Sequence, residues 1–515
     1  MKKIVLSLIV FTMTTVSTMA GGILTNTNQS VLFLKNPARD AAIGLDGVYS
    51  NPAGVAFMPE GFHVAFNWQY AHQTRTITST NPAFSMGKKN DGKTTKTFEG
   101  IADAPFIPSL QAAYNKGDWS IQFNFSLPGG GGVCEYENGL GSFESSVGTI
   151  AQQLKAYGLG VEGYDVDAYM RGRQYFFGFQ LGAAYKINEH WSVYGGLRAL
   201  YGNASYKARL NNIQVGLKDA AGEMYWVNFD RFINDNIAGI NNQLGQAEMA
   251  YNMVETFNAM GQTALANMLI ANGAPANAAQ LAAYKSQGQA GISRLETLQK
   301  YSQGVNLMSN QEGFGLAPII GVDYKVANFN FAAKYEFNTE MKMKNRSTVD
   351  KAMEIESVNK FKDESEVDED APALLTLGAQ WTVIPEVNLN VGYHHYYDKN
   401  AHWYNNSQEQ LSGGTNEYLA GVEWNVSDRV NLSCGGQLTR YGLTDEYMND
   451  MSFVVNSYSV GAGITYQATD HLKVSIAYFQ TNYSDYNRTN YPAAGVSDSF
   501  TRTNRVLGLG CQLDF

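Results

Sequence analysis

Between residues 61 and 72 every second side chain is apolar: Phe62, Val64, Phe66, Trp68 and Tyr70 alternate with His63, Ala65, Asn67 and Gln69. The same period recurs over 119–127, where Trp119, Ile121, Phe123, Phe125 and Leu127 alternate with Ser120, Gln122, Asn124 and Ser126. Neighbours on a β-strand point to opposite faces, so each segment predicts a strand with one greasy and one wet face. A soluble sandwich would hide the greasy face against a second sheet, whereas a membrane barrel turns it to lipid and keeps the polar face in the lumen. Fourteen such segments follow one another, near 61–72, 108–116, 119–127, 174–186, 190–206, 313–325, 328–343, 372–384, 386–398, 415–426, 429–441, 453–467, 470–484 and 502–515. Each reaches the ~9–11 residues that a tilted strand needs to cross a bilayer. Trp119, Trp191, Trp381 and Trp424 stand near segment ends, as an interfacial aromatic girdle requires.

The connections alternate as well. Links after even-numbered segments are tight, for example Lys116-Gly117-Asp118, Ile384-Pro385-Glu386 and Val426-Ser427-Asp428, while most links after odd-numbered segments are long. Short periplasmic turns and long external loops give this asymmetry. In the last segment Leu507, Leu509, Cys511, Leu513 and Phe515 share one face and the chain ends on that aromatic. A terminal Phe on such a strand resembles the signal read by the outer-membrane barrel assembly machinery, here through Phe515. The fold class expected is therefore all-β: a fourteen-stranded antiparallel transmembrane β-barrel.

The N-terminus sets the compartment. Lys2 and Lys3 precede an apolar run from Ile4 to Val10, and small and polar residues lead to Ala20. This is the pattern of a secretory signal peptide over residues 1–20, cleaved after Ala20. Its loss takes the formal net charge from −10 to −12, and no basic stripe exists to neutralise phosphates, so nucleic-acid binding is excluded. After the signal no stretch reaches the ~18 continuous apolar residues of a membrane helix. Three cysteines cannot form a paired framework; two of them, Cys434 and Cys511, sit in apolar alternation and read as small hydrophobes.

Residues 21–60 do not alternate. They include Ala41, Ala42, Asp46 and then Tyr49-Ser50-Asn51-Pro52-Ala53-Gly54. Irregular backbone at membrane depth has to be covered by protein, so this segment is expected inside the barrel lumen. A small-residue segment with an acidic residue and then Asn51-Pro52-Ala53-Gly54, placed between a signal peptide and strand one, resembles the hatch of the FadL/TodX family of outer-membrane transporters for long-chain fatty acids and aromatic hydrocarbons. The resemblance implies a fourteen-stranded barrel, 61–515, plugged by the hatch. It also implies a kink in the third strand that opens the wall sideways. Here segment three runs into Pro128 and then Gly129, Gly130, Gly131 and Gly132, where proline removes a ladder donor and glycine tolerates a bend. The reading is a lateral opening or its rim, with an ordinary loop start as the alternative.

The external link of about 207–312 is rich in Ala, Gln and Asn, with helical spacing from Phe229 onward. Two or three amphipathic helices are expected, and Phe229, Phe232, Ile233, Ile237, Ile240 and Phe257 form a candidate hydrophobic capture surface, unless the helices pack on one another as a lid. A second external loop, about 344–371, carries Asp363, Glu364, Glu366, Asp368, Glu369 and Asp370. It does not match an EF-hand, and a solvated acidic loop is the expectation. His394, His395 and His402 lie among Tyr393, Tyr396, Tyr397 and Trp403, which reads as an interfacial aromatic belt. No catalytic constellation, metal site or cofactor is assigned.

The functional expectation is passive uptake of a hydrophobic small molecule across the outer membrane, without enzyme chemistry. Long-chain fatty acids are the class implied by the resemblance, and a haem-like porphyrin is a further possible ligand. Outer-membrane lipid and lipopolysaccharide would surround the barrel. Two alternatives stay open at the level of sequence, a general solute porin and a structural or adhesive barrel.

Overall fold

The computed structural model describes residues 25–300, 304–350 and 359–515. The signal peptide expected over residues 1–20 lies outside them. Fourteen antiparallel staves follow in chain order: β1 Gly61–Thr80, β2 Thr95–Lys116, β3 Trp119–Tyr136, β4 Val161–Lys186, β5 Trp191–Lys218, β6 Val305–Val326 and β7 Phe329–Glu336. They continue with β8 Leu374–Ile384, β9 Val387–Tyr396, β10 Thr415–Ser427, β11 Val430–Arg440, β12 Ser457–Gln467, β13 Leu472–Tyr483 and β14 Ser497–Asp514. Each pairs with the next, and β14 returns to β1 in register from His63 opposite Asp514 to Thr80 opposite Ser497. Closure leaves no free sheet edge. The last rung is made by the chain terminus, where the Phe515 N–H donates to the Phe62 carbonyl at 2.9 Å and the Phe62 N–H to the Phe515 carbonyl at 3.1 Å.

Alternation decides the two surfaces. On β13, Val474, Ile476 and Tyr478 are exposed on the outside while Ser475, Ala477 and Phe479 are buried within. Trp119, Trp191, Trp381 and Trp424 are exposed at the short-turn end, with Trp119 against Tyr185 and Trp191 against Tyr324. The apolar outer band with its aromatic rim is a surface that lipid covers at no hydration cost. It is the membrane-spanning face of the barrel.

The strands differ from the sequence segments mainly at their external ends. β4 and β5 are 26 and 28 residues long, more than twice what a bilayer requires. Their upper parts carry Asp165, Asp167, Arg171 and Arg209 and stand above the membrane, where neither face has to be apolar, so the alternation that marks the spans fades. β7 is prolonged after a break by Lys342–Asp350, which pairs with the upper half of β6, and Glu366–Asp368 continues that ladder. Above the barrel stand helices α2 Gly141–Ala156, α3 Phe229–Ala259, α4 Thr263–Ala271 and α5 Ala278–Lys300. Helix α1, Val31–Lys35, belongs to the segment inside the lumen.

Candidate functional site: the filled lumen and the β2–β3 break

Inside the barrel, residues 25–60 form a compact body with α1 and two short 3-10 turns, Leu45–Val48 and Gly54–Phe57. Ser30 starts α1 by accepting from the Phe33 N–H at 3.2 Å, an N-cap for a helix too short to stand without one. Val31, Phe33, Leu34 and Ala38 then pack on Ala71, Leu419, Ala477, Phe479 and Val506 of the wall. The close fit depends on wall glycines. A Cβ on Gly461 would lie 1.9 Å from the Leu34 carbonyl oxygen, and one on Gly421 would lie 1.9 Å from Asn36 Oδ1.

The Asn51-Pro52-Ala53-Gly54 motif lies fully buried in this plug. Asn51 accepts from the Gly54 N–H at 3.2 Å, turning the chain, and donates to Asp323 on β6 at 2.6 Å. The Pro52 carbonyl accepts from Gln122 on β3 at 2.8 Å, and the Ala53 carbonyl from Ser192 on β5 at 2.7 Å. Gly54 has Asn51 and Asp323 so close that any side chain there would collide with them. The plug's charges are paired with the wall as well. Arg39 binds Asp46 through Nε at 2.7 Å and Nη2 at 3.0 Å and also bonds Glu423 of β10. Lys35 donates to Asn431 at 2.5 Å and Thr465 at 2.9 Å.

His394 departs from the belt expected of it. It faces the lumen, fully buried, with Nε2 2.9 Å from Asp40 of the plug and Nδ1 2.8 Å from Glu417 of β10. Its neighbour His395 lies on the outer face between Tyr393 and Tyr397, and His402 sits in the next loop beside Asp370. The alternation of a strand sends adjacent histidines to opposite faces, so only one of the two could join an outer belt.

The wall is interrupted beside the plug. The β2–β3 ladder is regular from Lys116 opposite Trp119 to Leu110 opposite Phe125, stops, and resumes only at Asp103 opposite Val133. The unpaired stretch of β2 is Ala104-Pro105-Phe106-Ile107-Pro108-Ser109, and the stretch of β3 opposite contains Pro128 and Gly129, Gly130, Gly131 and Gly132. Three prolines without an N–H cannot donate across the gap. Gly130 and Gly132 have φ of 93° and 79°, left-handed conformations that let β3 bulge while it stays paired with β4 on its other side. Of this break, the β3 half is visible as Pro128 and its glycines; the two prolines of β2 carried an equal signal.

The plug occupies the break. Thr25 bridges to Gly129, and the Asn26 N–H donates to the Pro128 carbonyl at 2.9 Å. The Gln29 side chain donates to the Leu127 carbonyl at 3.1 Å and accepts from the Leu127 N–H at 3.0 Å, while its own carbonyl accepts from Ser109 at 2.6 Å and Gln111 at 2.8 Å. The rim at Gly132, Cys134 and Tyr136 borders a cavity of about 60 Å³ in the upper lumen, which Arg75, Met170, Tyr206 and Met451 also line.

The external capture surface read from sequence is corrected. Phe229, Phe232 and Ile233 are buried, and Ile237 and Ile240 pack against the same cluster, which includes Tyr206, Leu210, Leu295 and Leu298; Phe257 is half-buried. These residues dock α3 onto the upper barrel and α5, the usual fate of the apolar face of an amphipathic helix. The apolar groups that the insertion exposes are others, chiefly Met249, Met253, Met260, Leu265 and Met268. The acidic loop is corrected in part. Glu369 and Asp370 are buried, Glu369 accepting from Lys360 at 2.5 Å and Asp370 from the Met341 N–H at 2.9 Å and the His402 N–H at 3.0 Å. Burial pushes the Lys360 ammonium below its ordinary value against the pull of Glu369.

No family model matches the sequence, and no curated protein matches it. Solved structures do. A Pseudomonas aeruginosa FadL homologue is 10% identical and superposes with a TM-score of 0.60 over 96% of this chain and 99% of that one. A TodX deltaS2S3 mutant, a monoaromatic hydrocarbon channel, is 12% identical, with a TM-score of 0.52 over 96% of this chain and 99% of its own. The chain has the FadL/TodX fold over nearly its whole length.

Proposed function

We infer from a barrel of the FadL/TodX fold, with its lumen filled and its wall broken between β2 and β3, that the protein is an outer-membrane channel for passive uptake of hydrophobic small molecules. Ligand enters from the external side, collects in the upper lumen and leaves sideways into the bilayer through the break once residues 25–29 withdraw from it. The observation that carries this reading is the Gln29–Leu127 pairing: a plug side chain stands where a wall strand would. Apolar ligand gains about 25 cal/mol for each Å² that it removes from water, in the lumen and again in lipid, so no energy source is needed for net inward flow down a gradient. A long-chain fatty acid and a monoaromatic hydrocarbon, the latter in keeping with the TodX monoaromatic hydrocarbon channel, are the first ligands to try.

An open solute pore is disfavoured by the plug, whose Asn51, Val55 and Leu45 are buried against the wall. Liposome uptake of a labelled long-chain fatty acid tests the proposal, comparing the intact barrel with a variant lacking residues 21–60. Saturable uptake by the intact barrel, altered by the deletion, supports gated hydrophobic transport. Large ion conductance in the intact barrel without ligand binding would contradict it.

A further inference from the structure

On a chain whose formal net charge is −10, the outer wall of β4 and β5 gathers cations at one height. Two rows of outward aromatics fix that height. Tyr185 and Tyr175 on β4, like Trp191 and Tyr201 on β5, are ten residues apart, with exposed Leu181 and Leu197 between them. Ten residues of tilted strand rise about 25 Å, the height of the apolar band between the two aromatic girdles of an outer-membrane barrel. Tyr175 and Tyr201 therefore mark the external interface, and outward side chains just beyond them face lipid headgroups. Those side chains are Arg173 and Arg171 on β4 and, after Asn203 and Ser205, Lys207 and Arg209 on β5. Arg171 lies directly opposite Lys207 in the ladder, and Arg209 lies opposite Tyr169 one outward step above. Like charges directly opposite one another are unfavourable on a sheet unless something neutralises them. Arg173 is tied to Asn203, donating at 2.8 Å, and the Arg209 guanidinium stands 4.6 Å from the Tyr169 ring centroid. Among the described residues Arg171, Lys207 and Arg209 make no ion pair with a carboxylate. The acidic groups beside them are engaged: Glu135, opposite Arg171 on β3, accepts from the Tyr169 hydroxyl at 2.7 Å, and Asp167 is held by Lys89 at 2.7 Å.

We propose that Arg171, Lys207 and Arg209 bind the phosphates of lipopolysaccharide, the phosphorylated glycolipid of the outer leaflet, while its acyl chains lie on Phe177, Tyr201 and Leu197 below. This rests on the barrel's place in the outer membrane and stands whether or not the barrel transports. A guanidinium offers two parallel N–H groups to a phosphate, and the lysine adds a compact point charge. Long cationic side chains run their stems along apolar surface and keep their charge among the headgroups. A lipid phosphate is already held at that height, so it gives up less translational freedom on binding than an anion from solution does.

The test is binding of bisphosphorylated lipid A, and of the same lipid A with both phosphates removed, to the whole barrel in detergent micelles with EDTA present. A cation at headgroup level is worth about fivefold in affinity, so three predict a preference of about a hundredfold for the phosphorylated form at low salt. The preference should vanish in R171Q/K207Q/R209Q and persist in K207R. It should also persist in K155Q, which removes a cation of the external cap that is paired with Glu162. Equal affinities in the intact barrel, or a preference that outlasts the triple variant, would overturn the site. A preference that appears only when magnesium replaces EDTA would assign the phosphates to carboxylates bridged by metal, and would overturn it too. Inorganic phosphate that competes as well as lipid A would mark a free-phosphate site and overturn the lipid. Should the triple variant not assemble, the preference of the intact barrel must still fall with added salt, and a preference indifferent to salt would contradict the proposal.

Discussion

The Gln29 amide lies against the backbone of Leu127 as a neighbouring strand would, giving its N–H to the Leu127 carbonyl and its oxygen to the Leu127 N–H. This contact closes the wall where prolines and glycines prevent the wall from closing itself.

Replacing Gln29 with Ala leaves both Leu127 groups buried without partners, a local cost of about 1–3 kcal/mol for each. The Q29A barrel is expected to assemble normally, because the strand ladder beyond the break is untouched. Residues 25–29 should exchange amide protons faster, and channel openings in planar bilayers should become more frequent. Exchange and conductance equal to those of the parent would remove Gln29 from the closure.

Gly461 separates the plug from ordinary wall positions. A methyl group there meets the Leu34 carbonyl, whereas one on Gly195 meets nothing within 4 Å. G461A is therefore expected to displace α1 at a cost of about 1–3 kcal/mol, typical of overpacking, and G195A to be silent. Limited proteolysis of the plug, with heat-modifiable mobility as the control for assembly, distinguishes the two.

The Asp40–His394–Glu417 relay links plug and wall. H394A leaves the Asp40 carboxylate buried with no hydrogen-bond partner among the described residues, and losing one member of a buried pair costs about 3–5 kcal/mol. H394A should loosen the plug more than Q29A does. In a cycle with D40A, most of that effect should disappear, because the second change removes the stranded charge; additive effects would deny the coupling.

The external cap is expected to respond to pH. Burial raises Asp398 to about 7 against the hydrogen bonds from Thr415, and raises Asp450 to about 6 with Asp498 adding to the shift. Asp398 accepts from the Thr415 N–H at 2.7 Å and hydroxyl at 2.6 Å, and Asp450 from the Ser142 N–H at 2.7 Å at the start of α2. A carboxyl raised by folding binds its proton more tightly in the folded cap, so stability is greatest below the ordinary value near 4. It falls as pH rises and levels off above about 7. Hydrogen exchange in 397–414 and 441–456, corrected for intrinsic rate, should therefore quicken between pH 4 and pH 7. D398N should flatten most of that change.

How legible each part was in the sequence follows from how local its cause is. Strands such as Leu472–Tyr483 announce themselves because lipid and lumen impose opposite demands on adjacent residues, and the six tight turns and the tryptophan rim follow from the same membrane boundary. Above the bilayer that demand ends, and the outer halves of β4 and β5 carry no period to read. The helices of the insertion were legible, but not which face was covered: Phe229 and Ile233 look like a capture surface until Leu295 and Tyr206 are packed on them. Pairings such as Arg39 with Glu423, 384 residues apart, leave no local trace, and neither does the selection of His394 over His395 for the lumen.

The account stands most directly on the route through the wall. A Cβ on Gly132 would lie 3.2 Å from the Cβ of Ala104 across the outer end of the break, near the separation that a disulfide spans. In a C134S background, A104C/G132C barrels in liposomes should take up labelled fatty acid at least tenfold more slowly when oxidised. Reduction should restore uptake, and ligand binding should be unchanged throughout. Uptake at the parental rate by the fully oxidised barrel would contradict lateral release between β2 and β3.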